Sequence, residues 1–426
     1  MPEVPATKCL TMADEVFNLP GSVNESAVSP SPPRAGGLGE IAGAFLKLGC
    51  ISFGGPVAHL GYLHDEFVRR RRWLDDAAYS DLVALCQFLP GPASSQLVFA
   101  LGQRRGGFIG AFVASLCFTL PSAVLMVLFG YGVAAIGDLR DAGWLHRLKL
   151  AAVAVVAQAV WGMGVKLCPD RTRITIALAA AALLLVVPGA VGQIAVIVAG
   201  AAIGWWLYRN ELLSTHTAGV RLARHHVWAA ATLVACLALL FMLPAIAAIS
   251  GNESLKVFDS FYRAGSLVFG GGHVVLPLLR AEVVPPGWIT DDAFLAGYGA
   301  AQAVPGPLFT FAAYLGTIIQ TGPRGWLGGL WCLFAIFLPA WMLIGGALPF
   351  WDLLRSRGWT QAALRGANAA VVGVLLAALY NPVWREGVTS AQDVAAGLAA
   401  FALLQFWKTP PWLVVGLMAA LGQWAL

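Results

Sequence analysis

The sequence predicts an all-α polytopic membrane protein, two inverted-topology repeats with broken or re-entrant helices and about 10–13 membrane segments in total. Three observations carry this. The chain is apolar and poor in charge, it holds many segments long enough to cross a bilayer, and one set of Gly, Pro and charged residues occurs twice.

Composition excludes a soluble fold. Of 426 residues, 58% are hydrophobic and 12% charged, with mean hydropathy +0.73, whereas a soluble domain carries about 25% charged residues. The 16 Trp suit the two headgroup levels of a bilayer, and 24 Pro with 48 Gly are better tolerated in membrane helices than in soluble ones. The net charge of +5 comes from short basic clusters between apolar runs, a topology signal rather than a nucleic-acid face. Cys9, Cys50, Cys86, Cys117, Cys168, Cys236 and Cys332 form no CxxC pair and read as small hydrophobes, so no metal or cofactor is expected. Cys168-Pro169-Asp170 faintly resembles metal-pump sequences, but the chain has no Walker A motif and no DKTGT-like site, which argues against ATP-driven pumping.

In chain order, residues 1–39 read as a disordered polar cytoplasmic tail without the apolar core of a secretory signal. Residues 40–208 read as the first repeat. Its segments are Ile41–Leu63, Ala77–Gly102, Phe108–Ile136, Leu150–Val165, Ile174–Val187 and Val191–Tyr208. Residues 209–256 read as a basic loop plus a linker span, Val227–Ile249, which has no counterpart in the first half. Residues 257–426 read as the second repeat, with segments Phe258–Leu279, Ala293–Ile319, Trp326–Phe350, Gly366–Tyr380, Ala391–Phe406 and Trp412–Trp424. Asp75 and Asp76 stand where a helix N-cap belongs.

The repeat is seen at a spacing of 216, where Phe45, Lys47, Gly49, Phe53-Gly54-Gly55 and Glu66 match Phe261, Arg263, Gly265, Phe269-Gly270-Gly271 and Glu282. At 215, Trp73, Gln87 and Pro90-Gly91-Pro92 match Trp288, Gln302 and Pro305-Gly306-Pro307. At 218, Gly107-Phe108-Ile109-Gly110 and Leu120-Pro121 match Gly325-Trp326-Leu327-Gly328 and Leu338-Pro339. With one extra span between them, the units start an odd number of segments apart, which inverts the second relative to the first. Connector charge favours a cytoplasmic N-terminus, with Arg69–Arg72 arguing the other way.

Four helix breaks then mark one substrate site: Phe53-Gly54-Gly55-Pro56, Pro90-Gly91-Pro92, Gly270-Gly271-Gly272 and Pro305-Gly306-Pro307. Glycine releases a helix and proline restarts one, leaving unpaired amides and a positive dipole end that suit an anion. Lys47 and Arg263 are cations inside membrane segments and are expected to supply charge to that anion. Glu66 and Glu282 are proton-coupling candidates or partners of those cations. His59 and His273, which do not align, and the duplicated Gln87 and Gln302 are candidate substrate contacts. Ser52, Ser94, Ser95 and Thr310 could add hydroxyls. Gly106-xxx-Gly110 and Gly325-xxx-Gly329 read as close helix packing.

The run Phe45-Leu46-Lys47-Leu48-Gly49 through Phe53-Gly54-Gly55-Pro56-Val57-Ala58-His59, with Trp73-Leu74-Asp75 and Gln87-Phe88-Leu89-Pro90-Gly91-Pro92, resembles the chromate ion transporters in their long, two-domain form. The likeness covers nearly the whole chain after about residue 38. It implies a bacterial or archaeal inner-membrane carrier that expels chromate and confers resistance. It also implies coupling to the proton gradient or membrane potential, with sulfate as a competing ligand. Sulfate or related oxyanion uptake stands as the alternative. An anion channel or an intramembrane enzyme is the alternative of another class, although no HExxH, paired intramembrane Asp or nucleophile–base pair occurs. The expected partners are chromate, sulfate and the lipid bilayer, with no nucleic acid and a homo-oligomer left open. Gly272 replaces Pro56, so the halves are expected to contribute unequally.

Overall fold

A computed structural model describes residues 37–53, 55–136, 143–187, 190–208, 224–268, 274–351 and 358–424. The expected tail lies almost wholly outside the described residues, as does 209–223 of the basic loop. All described secondary structure is helical. The first repeat forms α1 (Leu38–Ile51), α2 (Gly55–His64, running into a π-helical turn Asp65–Arg70), α3 (Asp76–Phe88) and α4 (Ala93–Ile136). It continues with α5 (Gly143–Leu167), α6 (Arg171–Val186) and α7 (Ala190–Tyr208). After α8 (Arg224–Ser250), the second repeat forms α9 (Glu253–Ser266), α10 (Val275–Val283), α11 (Asp291–Ala303), a 3-10 turn Leu308–Thr310 and α12 (Phe311–Ile318). Next come α13 (Gly325–Ala347), α14 (Gly358–Ala378), α15 (Ala391–Gln405) and α16 (Pro411–Trp424).

Six described helices are long and apolar enough to cross a membrane. The segments around the breaks are shorter. α1, α3 and α9 have 14, 13 and 14 residues, so each rises only about 20 Å at ~1.5 Å per residue, short of a ~30 Å hydrocarbon core. They are half-helices: the break before Gly55 joins α1 to α2, and the Pro-Gly-Pro breaks join α3 to α4 and α11 to the turn at Leu308.

The 43-residue apolar stretch Ala93–Ala135 counts as one span by length, but its path is a hairpin. Gly106 (φ −139°) and Gly107 (φ 63°, ψ −160°) leave the helix. A Cβ on Gly102 would stand 2.6 Å from both the Gly110 carbonyl and the Ala114 methyl, an approach that a straight helix, with about 18 Å between residues twelve apart, cannot make. In the second repeat Gly325 (φ 62°) begins α13, and Gly316 packs directly on Gly328. The small-residue motifs expected to pack helices therefore turn the chain and close the hairpin. Gly49 does similar work between helices, since a Cβ there would meet the Phe118 carbonyl at 2.6 Å, and its counterpart Gly265 meets Ile336.

Behind the hairpins the repeats exchange helices. α14, from the second repeat, packs against α6 and α7 of the first, while α5 packs against α15 and α16 of the second. Gly366 lies directly on Gly200 and Gly204, and Gly373 on Ala177. Gln158 donates to the Leu404 carbonyl at 3.0 Å, His146 meets Asp393 at 2.9 Å, and Lys149 meets Asp292 at 2.5 Å. Cys168-Pro169-Asp170 has a local explanation. Asp170 N-caps α6, accepting from the Arg173 amide at 2.9 Å. That amide, outweighing partial burial, holds the carboxyl below its usual range. α8 lies against α9 and α13 and exposes Trp228, Phe241 and Ile249, an apolar face that suits lipid.

Candidate substrate site at the four helix breaks

Both Pro-Gly-Pro breaks are built alike. Asp75 caps α3 through the Ala78 amide at 2.8 Å, and Thr290 caps α11 through the Ala293 amide at 3.3 Å. Each helix stops at the residue before proline, where the α region is disfavoured: Leu89 (ψ 147°) and Val304 (ψ 138°) are extended. Gly91 and Gly306 then adopt φ 120° and 105°, the range that favours glycine. A Cβ would also collide there, with Gln96 Nε2 at 2.8 Å for Gly91 and Ser122 Oγ at 2.7 Å for Gly306.

The two repeats meet through a reciprocal pair of hydrogen bonds. The Gly91 amide donates to the Val268 carbonyl at 2.6 Å, and the Gly306 amide donates to the Ser52 carbonyl at 2.8 Å. Gly91 and Gly306 are equivalent at spacing 215, and Ser52 and Val268 at 216. Each Pro-Gly-Pro break is thus tied to the carbonyl just before the Phe-Gly-Gly motif of the other repeat. A two-fold relation between repeats accounts for both bonds. It also brings two helix starts, at Ala93 and Leu308, toward the junction, and first-turn amides have no acceptor within their own helix.

The polar side chains here come mainly from the first repeat. His59 is fully buried, with Nε2 3.0 Å from the Ser52 carbonyl and Nδ1 3.4 Å from Ser94 Oγ. With Nε2–H donating to the carbonyl, Nδ1 accepts from the serine. Gln96 donates from Nε2 to the Pro90 carbonyl at 2.7 Å. Ser52 Oγ, Ser95 Oγ, Gln96 Oε1 and Gln302 Nε2 are buried without a hydrogen-bond partner. The second-repeat equivalents of His59, Ser94 and Gln96 are Val275, Phe309 and Phe311. Thr310, equivalent to Ser95, turns back to the Pro307 carbonyl at 2.8 Å. At these equivalent positions the two repeats carry side chains of different chemistry.

Other expected site residues fall as follows. Pro90, Pro92, Pro305 and Pro307 frame the two breaks, and Gly55 (φ 77°) opens α2 with Pro56 in its first turn. The Phe53 ring lies 5.9 Å from that of Trp412. Gln87 is exposed, unlike Gln302. Gly54, Gly270, Gly271, Gly272 and His273 lie outside the described residues. Gln96 was not singled out from sequence, because its counterpart is Phe311 and a search for duplicated polar residues passes over it.

Lys47 and Arg263 are each engaged by carboxylates. Lys47 binds Glu66 at 3.1 Å, where Arg70 and Arg71 also bind at 3.3 and 2.7 Å. Arg71 and Arg105 continue to Glu40, and both guanidinium groups lie over Trp73. Arg263 binds Glu282 at 2.8 Å and Asp259 at 3.0 Å. The pairing of each of these cations with the equivalent glutamate follows the repeat. Among the described residues, no three His, Cys, Asp or Glu side chains gather as a metal site.

The Chromate transporter family model matches residues 39–205 and 255–423. The chain is 30% identical to the chromate transport protein of Pseudomonas aeruginosa over 425 residues, covering 96% of this chain and 97% of that protein. It is 27% identical to a probable chromate transport protein of Synechococcus elongatus, covering 87% and 90%. It is 26% identical to the chromate transport protein of Cupriavidus metallidurans, covering 91% and 96%. No solved structure matches the chain.

Proposed function

Because this chain belongs to the chromate transporter family, we propose that it is a secondary transporter that carries chromate out of the cytoplasm across the inner membrane. Export confers chromate resistance and is driven by the proton gradient or the membrane potential. Sulfate, of similar shape and charge, competes for the site. The observation that carries this reading is the reciprocal pair of hydrogen bonds, Gly91 to Val268 and Gly306 to Ser52, which gathers the helix breaks of both repeats at one junction.

The chemistry there suits a tetrahedral oxyanion. First-turn amides of α4 and of the turn at Leu308 present oriented donors with the positive ends of their dipoles. Ser52 and Ser95 hydroxyls and the Gln302 amide nitrogen are buried donors that lack a protein acceptor. Charge on Lys47 and Arg263 is already neutralised by carboxylates, so the anion is held by neutral dipoles. Neutral donors leave it free to depart, as a carrier requires. The repeats run in opposite directions through the membrane, and alternating access comes from rocking around the junction. Since α5 and α14 are exchanged, the moving bodies cross the sequence boundary between repeats.

Purified protein in proteoliposomes is expected to give saturable chromate flux, counterflow against internal chromate, and inhibition by sulfate. Gly306→Ala, strained and in collision with Ser122, should lose at least 10-fold of that flux, a barrier or binding change of roughly 1.4 kcal/mol, while still inserting. Cells making the protein should accumulate less chromate than cells without it. Higher accumulation would reverse the direction, and linear flux without counterflow would make the protein a channel.

A further inference from the structure

We infer that the second repeat holds a proton-binding site made by Asp259, which is buried, and Glu282, which is largely buried, two carboxylates that share one nitrogen of Arg263 and carry one proton between them. Nη2 of Arg263 donates to Asp259 Oδ2 at 3.0 Å and to Glu282 Oε2 at 2.8 Å. Side-chain exposure is 8% for Asp259 and 11% for Glu282. Oδ1 of Asp259 is buried with no partner, as is Nε of Arg263. Two carboxylates on one guanidinium leave one negative charge uncompensated, in a protein whose solvent is lipid. Arginine stays protonated, so the excess is removed by a proton on one carboxylate, and the two titrate as a pair.

Among the described residues, no other cation pairs with either carboxylate. α9 packs on α8, α10 and α13, and α10 packs also on α7 and on α14, whose Arg365 lies over the Tyr208 ring. α13 carries no Asp, Glu, Lys, Arg or His. On α10, Arg280 is committed to Asp291 at 2.6 and 3.0 Å. On α8, His226 lies against the Phe350 ring, and Cys236 takes the Tyr262 hydroxyl at 3.2 Å. On α9 itself, Glu253 and Lys256 pair with each other at 2.8 Å.

The first repeat is the internal control. Gly43 stands where the second repeat has Asp259, and Glu66 faces Lys47, Arg70 and Arg71. Three cations on one carboxylate keep it ionised. Of the two glutamates singled out by the repeat, only Glu282 has the companion acid and the charge deficit that bind a proton. The coupling role of the site rests on the transport reading above, whereas the shared proton does not.

Two measurements separate these claims. Infrared spectra of the detergent-solubilised protein at neutral pH should contain a protonated-carboxyl stretching band that is lost in both Asp259→Asn and Glu282→Gln, since either change leaves a neutral pair with Arg263. A band unmoved by both variants, or absent from the wild type, overturns the shared proton. In proteoliposomes, an imposed pH gradient should drive chromate movement by the wild type and lose at least 10-fold of that drive in Asp259→Asn, while chromate–chromate counterflow is retained. Undiminished pH-driven movement in Asp259→Asn overturns the coupling role. Absence of counterflow in the wild type overturns chromate transport instead and leaves the infrared result to decide the proton site.

Discussion

At the scale of single residues, the two equivalent cations Lys47 and Arg263 differ in what their loss leaves behind. Lys47→Met leaves Glu66 with Arg70 and Arg71, so unfolding stability is expected to fall by no more than about 1 kcal/mol, the range of a partly exposed pair. Arg263→Met leaves the buried Asp259 and the largely buried Glu282 without their cation partner among the described residues and should cost roughly 3–5 kcal/mol, as breaking a buried pair does. Thermal unfolding in detergent, followed by size-exclusion chromatography, measures both. Equal shifts would contradict the charge count. The pairing itself was legible, because Lys47 with Glu66 and Arg263 with Glu282 repeat at spacing 216. Asp259 was not, since Gly43 holds the equivalent position and only the fold shows that it faces the same guanidinium as Glu282. Gln96 escaped for the same reason. Duplicated residues mark what the repeats share, and the polar contacts of this site are largely what they do not share.

At the scale of elements, the breaks were readable and the turns between half-helices only partly so. Proline and glycine declare themselves in sequence, and Pro90-Gly91-Pro92 and Pro305-Gly306-Pro307 end helices at Leu89 and Val304 as their chemistry requires. Gly106 and Gly110 looked like packing glycines, and Gly107 stood out only as a repeat match, because a small residue that allows close approach and one that allows a reversal are the same residue type. The φ and ψ of Gly107, 63° and −160°, lie in a region open essentially to glycine alone. Gly107→Ala is therefore expected to destabilise by about 1–3 kcal/mol, although no atom lies within 4 Å of the new methyl. Gly43→Ala is its control, at a helical position of α1 with equally open space, and should be neutral or slightly stabilising. Thermal melts of the two variants separate backbone strain from crowding.

At the scale of the whole molecule, the exchange of α5 and α14 decides how the repeats can exist. Helices that face lipid or other apolar helices are apolar on every side, so periodicity could not show which helix α5 or α14 would meet. The contacts do show it. α14 lies between α6 and α7, with Gly366 on Gly200 and Gly204 of α7 and Gly373 on Ala177 of α6, and α5 packs on α15 and α16, bonded to α15 through Gln158 to Leu404 and His146 to Asp393. Each repeat expressed alone would leave its α5 or α14 without that partner and would present Gly200, Gly204, Gly366 and Gly373 to lipid instead of to backbone. The chain divided in the connector 209–223 should therefore fail to accumulate as either half alone. Both halves made together in one cell should associate, co-purify through a tag on one of them, and recover chromate flux. A first half that is stable and transports by itself would show that the exchange is dispensable and that the junction at Gly91 and Gly306 can form between two copies of one repeat. Failure of the co-expressed halves to associate, while the intact chain inserts normally, would mean that the connector rather than the exchanged helices holds the repeats together.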